Sequence, residues 1–261
     1  MNFNNQYNNN EFDIDIINNN KFIIFKIPNF LNKENYELLN KNFPKIEGKN
    51  LNEFNLKEKN FKYRISSNED DYQDVINKSN VLTDFNNEIF SFKFFNYFFK
   101  NLKKHFMLSR ISDPKNLIKL LKPKTLNESK LFFQTYIKRQ IEFSYILNSG
   151  RIVPHTDARS KMLSLMLYFP NYEENDLNFS KEKNLGTVFW KSNFKNINNN
   201  HLTDINDEIR FKDKNKALVK VPFEKFHLYG FIRNEYSWHS VENINIDPEY
   251  IRRSININFN F

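Results

Sequence analysis

The sequence predicts an α+β chain in which a helical first half supports an antiparallel β-sandwich or barrel. Two changes of period predict it. Across residues 82–106 apolar side chains recur every three or four positions (Phe85, Ile89, Phe92, Phe95, Phe99, Leu102, Phe106), the spacing of one helix face. After Leu131 the period falls to two: Ile141, Phe143 and Tyr145 alternate with Glu142 and Ser144, and the C-terminal SININFNF alternates almost without fault, as half-buried strands do.

Residues 1–19 are rich in Asn and are expected to lack fixed structure. Residues 21–27 (KFIIFKI) read as a strand ended by Pro28, and residues 31–42 as a helix with Asn32 at its N-cap and Pro44 beyond its end. Residues 48–80 are polar and patternless apart from a short strand at 61–65. One long helix is expected over 82–106, its aromatic stripe packed on a sheet, and a shorter one over 114–121. Strands follow at 141–145, 162–169, 187–190, 217–221 and 254–261, with charged, Asn-rich insertions at 171–184 and 191–216. Residues 20–261 are expected to form one domain, with helical support to about residue 130 and a β core from about residue 131.

Composition narrows the chemistry. The chain has no Cys, which excludes disulfides, thiolate metal sites and cysteine nucleophiles, so a metal would be held by His and carboxylate. The net charge of +8 is spread as scattered Lys, without the patch that nucleic-acid binding requires, and a nucleic-acid partner is not expected. The opening residues lack the basic start and apolar run of a secretory leader, so none is expected, and no run nears the ~18 apolar residues of a membrane span. A cytoplasmic protein without membrane partners is the expectation.

Three motifs fall in order: Pro154-His155-Thr156-Asp157, Trp238-His239-Ser240-Val241, and Arg252-Arg253-Ser254. A His and a carboxylate two apart at a strand end can address one centre, and a His from a distant strand completes one face of an octahedral ion. Such a set leaves positions open for chemistry. An HxD pair alone is common by chance; the ordered set, with a small-residue step at Gly186-Thr187, is far more specific.

In these stretches (FSYILNSGRIVPHTDARSKMLSLMLYFP, LGTVFW, YSWHSV and RRSININF) the chain resembles the 2-oxoglutarate- and iron(II)-dependent oxygenases, and among them the prolyl-hydroxylase-like branch. The opening KFIIFKIPNFLNKENYELLNKNFP is similar to the strand–Pro–helix start of that branch. The resemblance spans roughly residues 140–261. It implies a double-stranded β-helix (jelly-roll, cupin-like) core, with the N-terminal helices packed on its major sheet. It also implies iron(II) on His155, Asp157 and His239, with 2-oxoglutarate and O2 as co-substrates. The implied reaction is hydroxylation with release of succinate and CO2. The Asp at position 157 sets the chain apart from the related halogenases, in which a small residue stands there.

The family pattern Arg-x-Ser selects Arg252, on one face with Ser254, Asn256 and Asn258, to hold the distal carboxylate of 2-oxoglutarate; Arg253 is the alternative. In that register Ile255, Ile257 and Phe259 face the helices. Tyr145 and Tyr168 stand where family members place co-substrate-binding Tyr, with packing as the alternative. Arg159 and Arg139 are candidates for a substrate anion, with structural ion pairs as the alternative. His105, His201 and His227 lack a second ligand at metal spacing, and Trp238 is expected to pack and orient the ligand strand. The substrate is expected to be a small molecule; a protein side chain, or a metal-binding β module without catalysis, are the competing readings.

Overall fold

The computed structural model describes residues 13–46, 62–170, 185–195, 202, 205–246 and 249–261. Two antiparallel sheets face each other, and helices cover the outer face of the larger one. The large sheet is built from β1 (Asp15–Asn18), β2 (Ile24–Ile27), β3 (Lys62–Ser66), β4 (Lys138–Leu147), β6 (Lys161–Phe169), β9 (Leu228–Ile232) and β11 (Ile251–Asn260). Its strand order is β1-β2-β9-β6-β11-β4-β3. The small sheet holds β5 (Ile152–His155), β7 (Thr187–Lys191), β8 (Lys216–Val221) and β10 (His239–Val241), in the order β5-β10-β7-β8.

Strand β11 is the central member. It pairs along its whole length with β4 and along nearly all of it with β6. Alternation gives its two faces different work. Ile255, Ile257 and Phe259 are buried against the helices, where Phe259 meets the rings of Phe94 and Phe95 at 6.1 and 5.4 Å. Arg252, Ser254, Asn256 and Asn258 line a cavity between the sheets. The expected register therefore holds.

Helix α1 (Lys33–Lys41) begins where Asn32 accepts a hydrogen bond from the Asn35 amide at 2.8 Å. The short α2 (Tyr72–Asn77) follows β3. The long helix expected over 82–106 is two: α3 (Asn80–Ile89) and α4 (Phe92–Leu108). Ser91 divides them. Its backbone is extended and its hydroxyl accepts from the Phe94 amide, so it restarts the chain as an N-cap inside an unbroken apolar period. Helix α5 (Pro114–Leu121) lies where expected, with Pro114 in its first turn and Asp113 as cap.

Three helices were not expected, of which α2 lies in the stretch 48–80 read as patternless. Helix α6 (Leu126–Tyr136) opens with a reciprocal capping box between Thr125 and Glu128, a pattern present in the sequence as T-x-x-E. Helix α7 (Ile205–Lys214) occupies part of the stretch read as an insertion over 191–216; it buries Glu208 and Phe211. The N-terminal expectation also changes. Residues 1–12 lie outside the described residues, but Asp15–Asn18, inside the stretch expected to lack structure, pairs with β2 as an edge strand. The insertion at 171–184 lies outside the described residues.

Gly186, just before β7, is required by space: a Cβ there would collide with the Val221 carbonyl of the neighbouring strand. No helix among the described residues is long and apolar enough to cross a membrane.

The two faces of β11 predict different responses to truncation. Ile257→Ala is expected to cost about 2–5 kcal/mol as a buried cavity. Asn256→Ala, which loses one hydrogen bond on the cavity side, is expected to cost under ~1.5 kcal/mol. Urea unfolding of both variants measures the contrast.

Candidate metal centre and its cavity

His155 ends β5 and His239 opens β10, and the two strands are neighbours in which these residues are register partners. That pairing sets the imidazoles side by side, ring centroids 4.3 Å apart. Asp157 lies two residues past His155, and a ligand atom from each of the three lies within 4.8 Å of the others. The order of motifs in the chain thus becomes one cluster.

Both imidazoles are fixed the same way. His155 Nδ1 lies 2.9 Å from the Val153 carbonyl, and His239 Nδ1 lies 3.0 Å from the Ser237 carbonyl. A carbonyl only accepts, so each Nδ1 carries the proton and each Nε2 keeps its lone pair. This is the arrangement that metal-binding histidines adopt. The donor set, two neutral imidazoles and a carboxylate without sulfur, suits a divalent first-row ion with open positions.

Asp157 is buried and accepts from Lys161 Nζ and from Ser164 Oγ, both at 2.8 Å. Burial alone would raise its carboxyl, but the Lys161 ammonium above all, with the His239 and His155 rings beside it, outweighs that and holds it far below the usual carboxylate range. Two further buried cations clamp the turn that carries it. Arg233 Nε donates to the Asp157 carbonyl at 2.9 Å, while Arg110 donates to the carbonyls of Arg159, at 2.7 Å, and of Lys161. Burial, with Arg233 beside it, brings the Arg110 guanidinium down to about 10, so it stays charged at neutral pH.

Arg252 is buried on the opposite sheet in the same cavity of about 200 Å³. Its Nε donates to the Leu185 carbonyl at 2.6 Å, and its guanidinium stacks 4.7 Å from the Phe223 ring and 5.1 Å from the Tyr168 ring. Burial lowers its pKa, while Tyr168 and Tyr250 oppose the shift. Tyr168 lines the cavity, its hydroxyl 2.8 Å from Thr187 Oγ1. Burial raises this phenol, against Arg252.

Several expected residues are elsewhere. Arg253 points to the other face of β11, donating to Asn40 at 2.9 Å over the Phe43 ring. Tyr145, its register partner, also faces the helices; its hydroxyl donates to the Pro44 carbonyl at 2.6 Å. An odd-numbered residue of β4 shares the face of Phe143, so Tyr145 cannot meet a ligand in the cavity. Arg139 is exposed, donates to the Phe90 carbonyl and stacks on Phe133, so it does not reach the cavity either. Arg159 is exposed and does not line the cavity. His227 accepts from the Asn29 amide at 3.0 Å, and His201 lies outside the described residues. Trp238 packs against Phe211 and donates to the Phe194 carbonyl at 2.8 Å, the packing role expected of it.

Sequence reading missed Lys161, Ser164 and Glu142. Ser164 interrupts the apolar run 162–169 on the cavity face of β6, a break in pattern that marks an inward polar site. Arg110 and Arg233 carried no such mark.

No family model matches the chain, and no curated protein matches it. Among solved structures, similarity extends to a prolyl-4-hydroxylase from Pseudomonas putida (13% identity over 52% of this chain and 58% of that one, TM-score 0.30). It extends also to SnoN, a non-heme α-ketoglutarate-dependent epimerase of nogalamycin biosynthesis (11%, 91% and 78%, TM-score 0.44). A third is HygX from Streptomyces hygroscopicus, with nickel and 2-oxoglutarate bound (9%, 91% and 82%, TM-score 0.40). The chain spans little more than half the length of the first of these. At such identities and TM-scores, the roles of the residues above rest on the geometry of the cavity.

The buried Glu142 carboxylate gives a pH prediction. Burial would raise it, but Lys62 Nζ at 2.6 Å lowers it on balance. A depressed folded-state value stabilises the protein above the unfolded carboxylate range, ~4.3, and that contribution is lost as pH falls through the folded value. Lys62→Met is therefore expected to destabilise by about 1–2 kcal/mol at neutral pH, below the value for a fully buried pair because Lys62 is partly exposed. Urea unfolding should show the gap closing below about pH 4.

Proposed function

We propose that the protein is an iron(II)- and 2-oxoglutarate-dependent dioxygenase that hydroxylates a small molecule, with release of succinate and CO2. The observation that carries this reading is the pairing, in one cavity, of a two-His, one-carboxylate cluster whose ligand atoms lie within 4.8 Å of one another with a buried arginine on the facing sheet. A two-His, one-carboxylate face suits non-heme iron(II). A buried guanidinium suits a dicarboxylate's far end. The strand order supports a double-stranded β-helix: from β4 to β11 the chain passes between the two sheets, β4, β6, β9 and β11 in one and β5, β7, β8 and β10 in the other. We take residues 20–261 as a single domain on this core.

In this assignment His155, Asp157 and His239 hold the metal, and iron(II) supplies the oxygen-activating centre when bound. Nδ1 hydrogen bonding orients both imidazoles, and Lys161 and Ser164 keep Asp157 ionised and aimed. Arg252, with Nε fixed on Leu185, offers its Nη groups to the distal carboxylate, beside the Tyr168 hydroxyl and Ser254. Burial of this end keeps water from competing with the ion pair.

Anaerobic titration of the protein with iron(II) and 2-oxoglutarate tests the assignment. The expected result is a weak visible charge-transfer band that is absent in Asp157→Ala. His155→Ala and His239→Ala are expected to lose iron binding. Arg252→Ala is expected to keep iron but to need about 10- to 150-fold more 2-oxoglutarate, the worth of charge-assisted hydrogen bonds of ~1.5–3 kcal/mol. Iron binding without the band in the folded wild type would overturn the dioxygenase reading in favour of a non-catalytic metal module.

A further inference from the structure

The β3–β4 side of the cavity is strongly charged, and none of the roles above uses it. Lys62 and Arg64 enter it from β3, the edge strand of the large sheet, and Glu142 from β4. Glu142 is the hub: it accepts from Lys62 Nζ at 2.6 Å and from Asn256 Nδ2 at 3.1 Å, and Arg64 Nη1 lies 3.7 Å away. The next inward residue of β11, Asn258, pairs with Ser164 beside Asp157. The polar surface therefore runs from the sheet edge to the metal cluster.

Charge decides what this surface suits. With a divalent ion on Asp157 and a dicarboxylate on Arg252, that part of the site is neutral. Lys62, Arg64 and Lys161 then stand against Glu142 alone, an excess of two positive charges within the lining. Counting Glu69, which meets Arg64 at 3.4 Å from outside the lining, leaves an excess of one. Size decides too: the whole cavity, co-substrate end included, is about 200 Å³, so the room left for a further molecule is small.

Resting on the dioxygenase reading, we propose that this surface binds the primary substrate, a small polar molecule bearing a phosphate or carboxylate, with Arg64 meeting the anion. Asn256 and Asn258 face its hydroxyl or amide groups. Lys62 is closed on Glu142, and Lys161 on Asp157. Arg64 differs from both. Its two ion contacts, at 3.4 and 3.7 Å, are long, and its side chain is 56% exposed at the sheet edge. A guanidinium so placed can exchange loose contacts for a bidentate grip on an oxyanion.

Calorimetry on the full chain tests this with zinc(II) in the metal site and N-oxalylglycine, an unreactive mimic of 2-oxoglutarate. N-oxalylglycine is titrated first; failure to bind the zinc-loaded wild type would sink the dioxygenase reading itself. Glycerol 3-phosphate, glycerate and glycerol are then titrated into the loaded protein. At least one of the two anions is expected to bind tenfold or more tightly than glycerol, and which one it is tells phosphate from carboxylate. Arg64→Gln is expected to weaken that binding at least tenfold and Arg64→Lys less, with N-oxalylglycine affinity unchanged in both. The substrate proposal falls, and the dioxygenase reading survives, if neither anion outbinds glycerol or if Arg64→Gln binds the anion as well as wild type does.

Discussion

The register of β11 is the constraint on which the rest of this structure depends. The strand lies between β4 and β6, and its alternating side chains are divided between an aromatic core and a polar cavity. A slip of one residue would turn every side chain to the other face. Arg252 would then meet the helices, and Ile257 would stand in the cavity. The penalty for burying Asn and Arg among phenylalanines is what keeps the pairing single-valued. The phenylalanines of α4 and α6 thus serve the cavity without touching it.

Buried charge is handled by pairing rather than avoidance. Asp157 is surrounded by cations, Glu142 by Lys62 and Arg64, and Glu208 by Arg151 and Lys212. Arg110 and Arg233 add hydrogen bonds to backbone carbonyls at the 157–161 turn. A short turn between β5 and β6 has few ladder bonds of its own, and two guanidiniums supply what a strand would otherwise give it. The position of Asp157 is therefore set from outside its own segment.

How legible this was in the sequence depends on how local the cause is. The cap at Asn32, the helix at Pro114 and the alternation of β11 rest on neighbours within a few residues, and the chain displays them openly. Ser91 shows the limit. Its apolar period runs unbroken through the cap, and only the hydroxyl's bond to Phe94 reveals the break. The His155–Asp157–His239 cluster was legible because the chain has only five His and the two motifs that carry the cluster are ordered, although their meeting depends on β5 pairing with β10. Tyr145, for which packing was the alternative reading, packs on the helix side of β4, because distance from His155 along the chain does not report its face. Its parity with Phe143 on β4 does, and that was visible. The clamps from Arg110 and Arg233 reach across 49 to 76 residues, and no pattern along the chain encodes such a contact.

The cavity draws its parts from both layers: the imidazoles stand on the small sheet, while Arg252 stands on the large one. Anything that spans the two works as a crosslink between layers that otherwise hold together through side-chain packing. Occupancy then penalises every partial opening in which one sheet lifts from the other, as well as complete unfolding. The layers would breathe separately when empty and as one body when filled. Amide exchange in β5 and β10 would slow together with that in β4 and β11, although no ligand atom need touch most of those amides.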